Sequence, residues 1–182
     1  MEYPYSLTDY VKSVKEYMQK KCIIYPHVIA LSFGARIVIK ALSEDKDLFD
    51  KVVITGGAGL KPKNSFKKTI KKAVFRTLKP FLGKERLAGF YSKDYLALSP
   101  VMKESFIKIV NEHLDDKLVL LNGKKMLLIY GEKDNQTPLY MAKRINHAVR
   151  GSILSVYKNA GHFAFVDCPL KFNLEVKEFL LS

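Results

Sequence analysis

No stretch of this chain approaches the roughly 20 consecutive apolar residues that a membrane-spanning helix requires. No basic-then-apolar leader opens it either, so the sequence reads as a cytoplasmic protein. Cysteine is scarce: Cys22 and Cys168 lie far apart and fit no metal-ligand spacing. They read as free, reduced thiols, not as a disulfide framework. Internal repeats and low-complexity tracts are missing, so a repeat array is not indicated. Acidic residues are few, 18 against 31 lysines and arginines, and the formal net charge is +13.

The basic excess is uneven. Ten lysines and arginines fall between Lys61 and Arg86, against Glu85 alone. Such a stretch can attract nucleic acid, anionic lipid or an acidic substrate. It lacks the interleaved aromatics of a single-strand binder, so nucleic acid is not the expected partner. Ile70, Val74, Leu78 and Phe81 recur at helical spacing, which favours an amphipathic helix with a solvated basic face.

What is present describes a globular chain. Its 182 residues fit one domain, and a hydrophobic content of 48% is enough for a core. Ser6 and Asp9 have the spacing of a capping box, and Leu7, Tyr10, Val11, Val14 and Met18 fall on one helical face. Short apolar runs at 27–31, 51–56, 125–130 and 152–157 read as parallel strands buried on both faces. Helical segments separate them, which gives a βαβ pattern. A helix is expected to begin at Thr137-Pro138. A last helix near 169–181 should bury Phe172, Val176, Phe179 and Leu180. Asp94 and Asp167 have the placing of helix caps, as does Ser99 before Pro100. His27, His113 and His147 have no partner in sequence and read as structural or surface residues.

Ser32 is the centre of the functional reading. Residues 28–34 run Val-Ile-Ala-Leu-Ser-Phe-Gly, an apolar strand ending in small-x-Ser-x-small before a helix. That pattern is a nucleophile elbow, a serine on a sharp strand-to-helix turn where bulk at Ala30 or Gly34 is expected to clash. Two more candidates follow predicted strands: Asp134 after Met-Leu-Leu-Ile-Tyr-Gly-Glu-Lys, and His162 in Asn-Ala-Gly-His. Open α/β sheets place their sites at such strand ends.

In these phrases, and in their order Ser32, Asp134, His162, the chain resembles the α/β-hydrolase superfamily, the capped AB hydrolase-1 type. The resemblance runs from about Tyr3 to Ser182 and corresponds to the C-terminal portion of that fold. It implies an α/β architecture, a parallel sheet flanked by helices. Residues 1–60 and 120–182 would form a partial hydrolase core, and 61–119 a helical cap. Phe66, Phe75, Phe90, Tyr91, Tyr95, Met102 and Phe106 are candidates to line the cap pocket.

The sequence also departs from the family pattern. Ala35 stands where a second glycine is usual, and its methyl group is expected to crowd the sheet. Four earlier strands, on the order of 80 residues, have no counterpart. With them goes the loop that usually supplies one oxyanion donor. The strand carrying Ser32 should therefore present an unpaired edge, open to a companion N-terminal fragment or to a second copy.

By the resemblance, Ser32 is the nucleophile, His162 its general base and Asp134 the residue that orients the imidazole. The backbone N–H of Phe33 would be an oxyanion donor. No cofactor or metal is implied. The expected function is hydrolysis of an ester or related acyl bond of a small molecule, slow or absent in this chain alone. A non-catalytic binding or assembly module using the basic cap, and an inactive gene fragment, are the alternatives.

Overall fold

The computed structural model describes residues 3–63 and 97–182. Helix α1 (Leu7–Lys20) is followed by β1 (Val28–Leu31), α2 (Phe33–Glu44) and β2 (Val52–Thr55). Beyond the undescribed residues come α3 (Pro100–Asn111) and a 3₁₀ segment (Asp115–Leu121). Next are β3 (Met126–Gly131), α4 (Leu139–Ala148), β4 (Ser152–Tyr157), the one-turn α5 (Ala164–Asp167) and α6 (Pro169–Leu181). Most of the proposed cap falls outside the described residues. This includes Phe66, Ile70, Val74, Phe75, Leu78, Phe81, Phe90, Tyr91, Asp94 and Tyr95. Of the basic stretch, only Lys61 and Lys63 are described.

The four strands pair in parallel, in chain order β1-β2-β3-β4. Ala30, Ile54 and Leu128 stand in one row across the sheet, one face apart from Val53 and Leu127. The first row faces a core built with α1, α2, α4 and the 3₁₀ segment. The second faces a smaller core under α5 and α6, with Tyr157, Ala160 and Val176. Every residue of β2 and β3 is buried, as continuous apolar runs require of strands covered on both faces. The flanking strands are less covered: Ile29 in β1 is 52% exposed and Ile153 in β4 is 56% exposed. Among the described residues, β1 has a neighbour on one side only.

Local signals act where the sequence puts them. Ser6 accepts the Asp9 N–H while the Asp9 carboxylate accepts the Ser6 N–H, the reciprocal pair of a capping box. Ser99 accepts the Met102 N–H and Pro100 opens α3. Phe172, Phe179 and Leu180 pack beside buried Val176 in the smaller core.

Two expectations fail. Helix α4 begins at Leu139, with Pro138 in the cap position, because the Thr137 side chain is drawn to Asp134 instead. Asp167 does not cap α6, whose N-cap is Cys168; its carboxylate accepts the Gly161 N–H at 2.7 Å, one residue before His162.

At the opposite end of the sheet, Lys51 precedes β2 and is almost fully buried. Its ammonium donates to the carbonyls of Phe179 and Leu180, both at 3.1 Å. A cation here satisfies the last carbonyls of α6 and opposes its dipole. Lys51→Met is expected to lower unfolding free energy by about 1.5–3 kcal/mol, the usual value of hydrogen bonds to a charged group. Urea denaturation read at the α6 amides by hydrogen exchange checks this; an unchanged midpoint contradicts it.

Candidate active site

Ser32 adopts φ 46° and ψ −104°, outside the regions an L-residue favours. Conformations of this kind cost on the order of 1–3 kcal/mol and persist only where surroundings hold them. The holding contacts are backbone bonds. Ser32 N–H donates to Thr55 O at 3.1 Å, and its carbonyl accepts from Ala35 and Ala58 N–H, each at 3.1 Å. The turn therefore leans on the end of β2 and the loop behind it. Phe33 is the first residue of α2, so its N–H has no intrahelical acceptor.

The small residues around Ser32 do different work from that expected. A Cβ placed on Gly34 would lie 3.5 Å from the Ala30 methyl, an ordinary contact. Ala30 is the tighter constraint, since growth there would run into the Gly34 backbone. Ala35 is fully buried. Its methyl faces Gly57, where an added Cβ would come within 3.2 Å of it. The glycine that the pattern lacks after Ser32 is thus offset by one across the loop. Gly57 is doubly constrained, because Tyr130 donates its hydroxyl to the Gly57 carbonyl at 2.8 Å.

Asp134 and His162 meet directly. Asp134 lies in the turn after β3, and its side chain has no exposed surface. One oxygen, Oδ1, accepts the N–H groups of Gln136 at 2.8 Å and Thr137 at 2.9 Å. The other, Oδ2, accepts the Thr137 hydroxyl at 2.7 Å and lies 2.8 Å from His162 Nδ1. Burial pushes the Asp134 carboxyl upward in pKa. The bonds from Thr137, His162 and Gln136 together outweigh it, and the net direction is down. An ionised Asp134 accepts a proton-bearing Nδ1, which leaves Nε2 of a neutral imidazole as the acceptor.

Two glycines fix where the imidazole lies. Gly56, directly after β2, has φ 51°, and a Cβ there would lie 3.0 Å from both Nδ1 and Cε1 of His162. The ring therefore lies against the end of β2, between the strand that carries Ser32 and the strand that carries Asp134. Adjacent strands are about 4.8 Å apart. Gly131 ends β3, and a Cβ there would come within 2.1 Å of Gly161 O and 2.4 Å of Ala160 O. Only a residue without a side chain lets the loop before His162 cross β3 at this point. No hydrogen bond joins Ser32 to His162 among the described residues; catalytic hydrogen bonds often tighten only in the complex with substrate.

A cavity of about 370 Å³ opens at Ser32. Its walls include Phe33 and Arg36 from α2, Tyr10 from α1, and Met102, Phe106 and Ile109 from α3. Met102 and Phe106 are thus on the pocket wall, as the sequence suggested. Tyr10 and Arg36 were not singled out. Tyr10 had been read only as part of an apolar helix face, and its ring also meets Phe33 edge-on at 5.1 Å. Thr137, Gly56 and Gly131 were also missed as site residues. The glycine doublet after a strand run was a visible signal; the loop that needs it comes a hundred residues later.

Of the other histidines, His147 is exposed on α4, and His27 lies 3.3 Å from an Asp50 oxygen. His113 has a buried Nδ1 without a partner among the described residues. No group of three or more potential metal ligands occurs among the described residues. No described helix is long and apolar enough to cross a membrane.

Comparison with known proteins agrees with this fold. Residues 109–182 match the family model for TAP-like proteins of the α/β-hydrolase type, a span that includes Asp134 and His162 but not Ser32. Protein ECM18 of Saccharomyces cerevisiae is 29% identical over 101 residues, 50% of this chain and 22% of that protein. The match thus spans about a fifth of that relative's length. An esterase from Exiguobacterium antarcticum superposes with a TM-score of 0.73 at 22% identity, covering 98% of this chain and 75% of the other. A variant of the meta-cleavage product hydrolase from Pseudomonas fluorescens IP01 gives a TM-score of 0.70 at 20% identity, covering 98% and 73%.

Thr137 provides a direct test of the carboxylate cradle. A carboxyl with a depressed folded pKa stabilises the fold above its unfolded pKa, and that contribution is lost as pH falls through the folded value. Thr137→Val removes one bond to Oδ2 and should raise the folded pKa of Asp134. Acid unfolding should then begin at higher pH, with a loss of about 1 kcal/mol at neutral pH. Urea titrations between pH 2 and 7 check both; an unchanged acid limb contradicts the cradle.

The parallel sheet in chain order and its flanking helices give this chain the fold of the α/β-hydrolases, and the matched family model covers its C-terminal part.

Proposed function

We propose that the chain is a serine hydrolase acting on an ester or related acyl bond of a small molecule. Ser32 is the nucleophile, His162 the general base and Asp134 its orienting partner. A serine hydroxyl is a weak nucleophile at neutral pH and needs a base within reach. His162 Nε2, left unprotonated by the Asp134 contact, takes the Ser32 proton as Oγ attacks the acyl carbon. The alcohol departs with a proton returned from the imidazolium. Water then repeats the sequence on the acyl-enzyme and restores Ser32. The orphan N–H of Phe33 faces the charge that develops on the carbonyl oxygen. The observation that carries the reading is the Asp134–His162 contact of 2.8 Å, with the imidazole against Gly56 beside the strained Ser32 turn.

The side of β1 that has no neighbour among the described residues belongs to the same proposal. An edge strand with a half-exposed Ile29 pairs readily with another strand. A companion polypeptide or a second copy would occupy it, and a further oxyanion donor would come with the occupant. Loss of one donor typically costs ~10²–10³ in rate, so a preparation without that occupant is expected to turn over activated esters slowly.

The test is 4-nitrophenyl acetate and butyrate hydrolysis under conditions sensitive enough for a slow enzyme. Ser32→Ala and His162→Ala should each lower turnover by at least ~10³ relative to a fully active state, or to background if the starting rate is low. Equal rates in the two variants and the unsubstituted chain refute the reading.

A further inference from the structure

The cavity at Ser32 is walled mainly by apolar side chains, yet Arg36 is among them. It is the one charged residue among the described residues that line this pocket. The residue lies four positions after Ser32 on α2, so it shares a helix face with the nucleophile about 6 Å along the axis. The pocket therefore places a cation within a short chain length of the bond to be attacked.

The guanidinium is held in a particular way. Its Nη1 donates to the carbonyls of Ile109 and Glu112, each at 3.0 Å, at the C-terminal end of α3. Ile109 O also accepts the Glu112 N–H at 3.3 Å, so the guanidinium braces the last turn of α3. Both Nη1 hydrogens are thereby used. Arginine carries five N–H donors in a rigid plane, and the other three lie on Nε and Nη2. None of the three has a partner among the described residues.

The positive charge also lacks a direct counter-ion among the described residues. No carboxylate among the described residues forms an ion pair with Arg36. The Glu112 side chain is 2.9 Å from Lys40 Nζ instead. Burial depresses the Arg36 pKa, with Glu112 opposing the effect at a distance. An arginine does not lose its proton under such pressure, so the charge remains in the wall. A half-buried cation whose remaining planar edge has no partner among the described residues fits a two-oxygen anion. An apolar wall raises the value of that contact relative to water.

We infer that Arg36 reads an oxyanion on the substrate, a carboxylate or a phosphate carried a few atoms from the acyl carbon. The preferred substrates are then acidic acyl compounds, and neutral esters of the same length are poorer ligands. The anion completes the guanidinium fork while the intervening chain lies against Phe33, Met102 and Phe106. This inference rests on the proposal that Ser32 works in this pocket, but it is tested by binding and not by turnover.

The experiment uses the full-length chain with Ser32→Ala, so that no ligand is consumed. Monomethyl glutarate, dimethyl glutarate and butyl phosphate are titrated by calorimetry. Either monomethyl glutarate or butyl phosphate should bind about ten-fold or more tightly than dimethyl glutarate, as expected of a charged hydrogen-bonded contact. The tighter of the two identifies the oxyanion. Adding Arg36→Gln should bring the anionic and neutral affinities together, and Arg36→Lys should recover part of the preference. A purely structural tie to α3 would instead weaken all three ligands alike.

If Arg36→Gln does not fold, ionic strength serves in its place. Raising salt should weaken the anions and leave dimethyl glutarate unchanged. Equal affinity for anionic and neutral ligands, no binding of any of them, or a preference that survives Arg36→Gln overturns the inference. Anion preference in a chain that hydrolyses no ester would count against the serine hydrolase reading alone. Ester turnover through Ser32 without anion preference would count against Arg36 alone.

Discussion

A buried carboxylate organises this site. Asp134 has no exposed side-chain surface and accepts from two backbone N–H groups, the Thr137 hydroxyl and His162. Burial alone would favour its neutral form; the four donors reverse that balance. Because the carboxylate is ionised and fixed, it selects one imidazole tautomer and one ring position. The turn after β3 and the loop after β4 meet at this group, and the glycine directly after β2 lies against the imidazole it holds. Loss of the charge would leave His162 without an orienting partner and leave several buried donors unsatisfied.

Close backbone approach is the second constraint, and it is distributed over three glycines. Gly131 lets the loop before His162 cross β3, Gly56 accommodates the imidazole, and Gly57 makes room for Ala35 and Tyr130. None of these roles is local in sequence. Each depends on a segment arriving from another part of the chain, so no single motif reports it. The Ser32 turn has the same character, since its unusual φ is maintained by bonds to Thr55 and Ala58 at the end of the neighbouring strand.

The parts legible in the sequence are those set by local rules. Apolar runs located all four strands to within a residue or two, and the Ser6–Asp9 spacing located the start of α1. Ser32, Asp134 and His162 were visible because each follows a strand end within a short, specific phrase. The parts not legible are tertiary. Thr137 looked like a helix cap, but Asp134 offers its hydroxyl a stronger partner than the helix N-terminus does. Asp167 looked like a cap too, and the nearby Gly161 N–H takes its carboxylate. Arg36 looked like an ordinary helical residue until α3 packed across it.

Activation of Ser32 by His162 is the step on which the proposed chemistry depends. Treatment of the intact chain with diethyl 4-nitrophenyl phosphate, followed by peptide mass spectrometry, tests it most directly, because a single covalent event is read and no turnover is needed. One diethylphosphoryl adduct is expected on the peptide that contains Ser32, formed at a rate that collapses in His162→Gln. An unmodified Ser32 peptide, or an adduct that forms equally fast in His162→Gln, would contradict it.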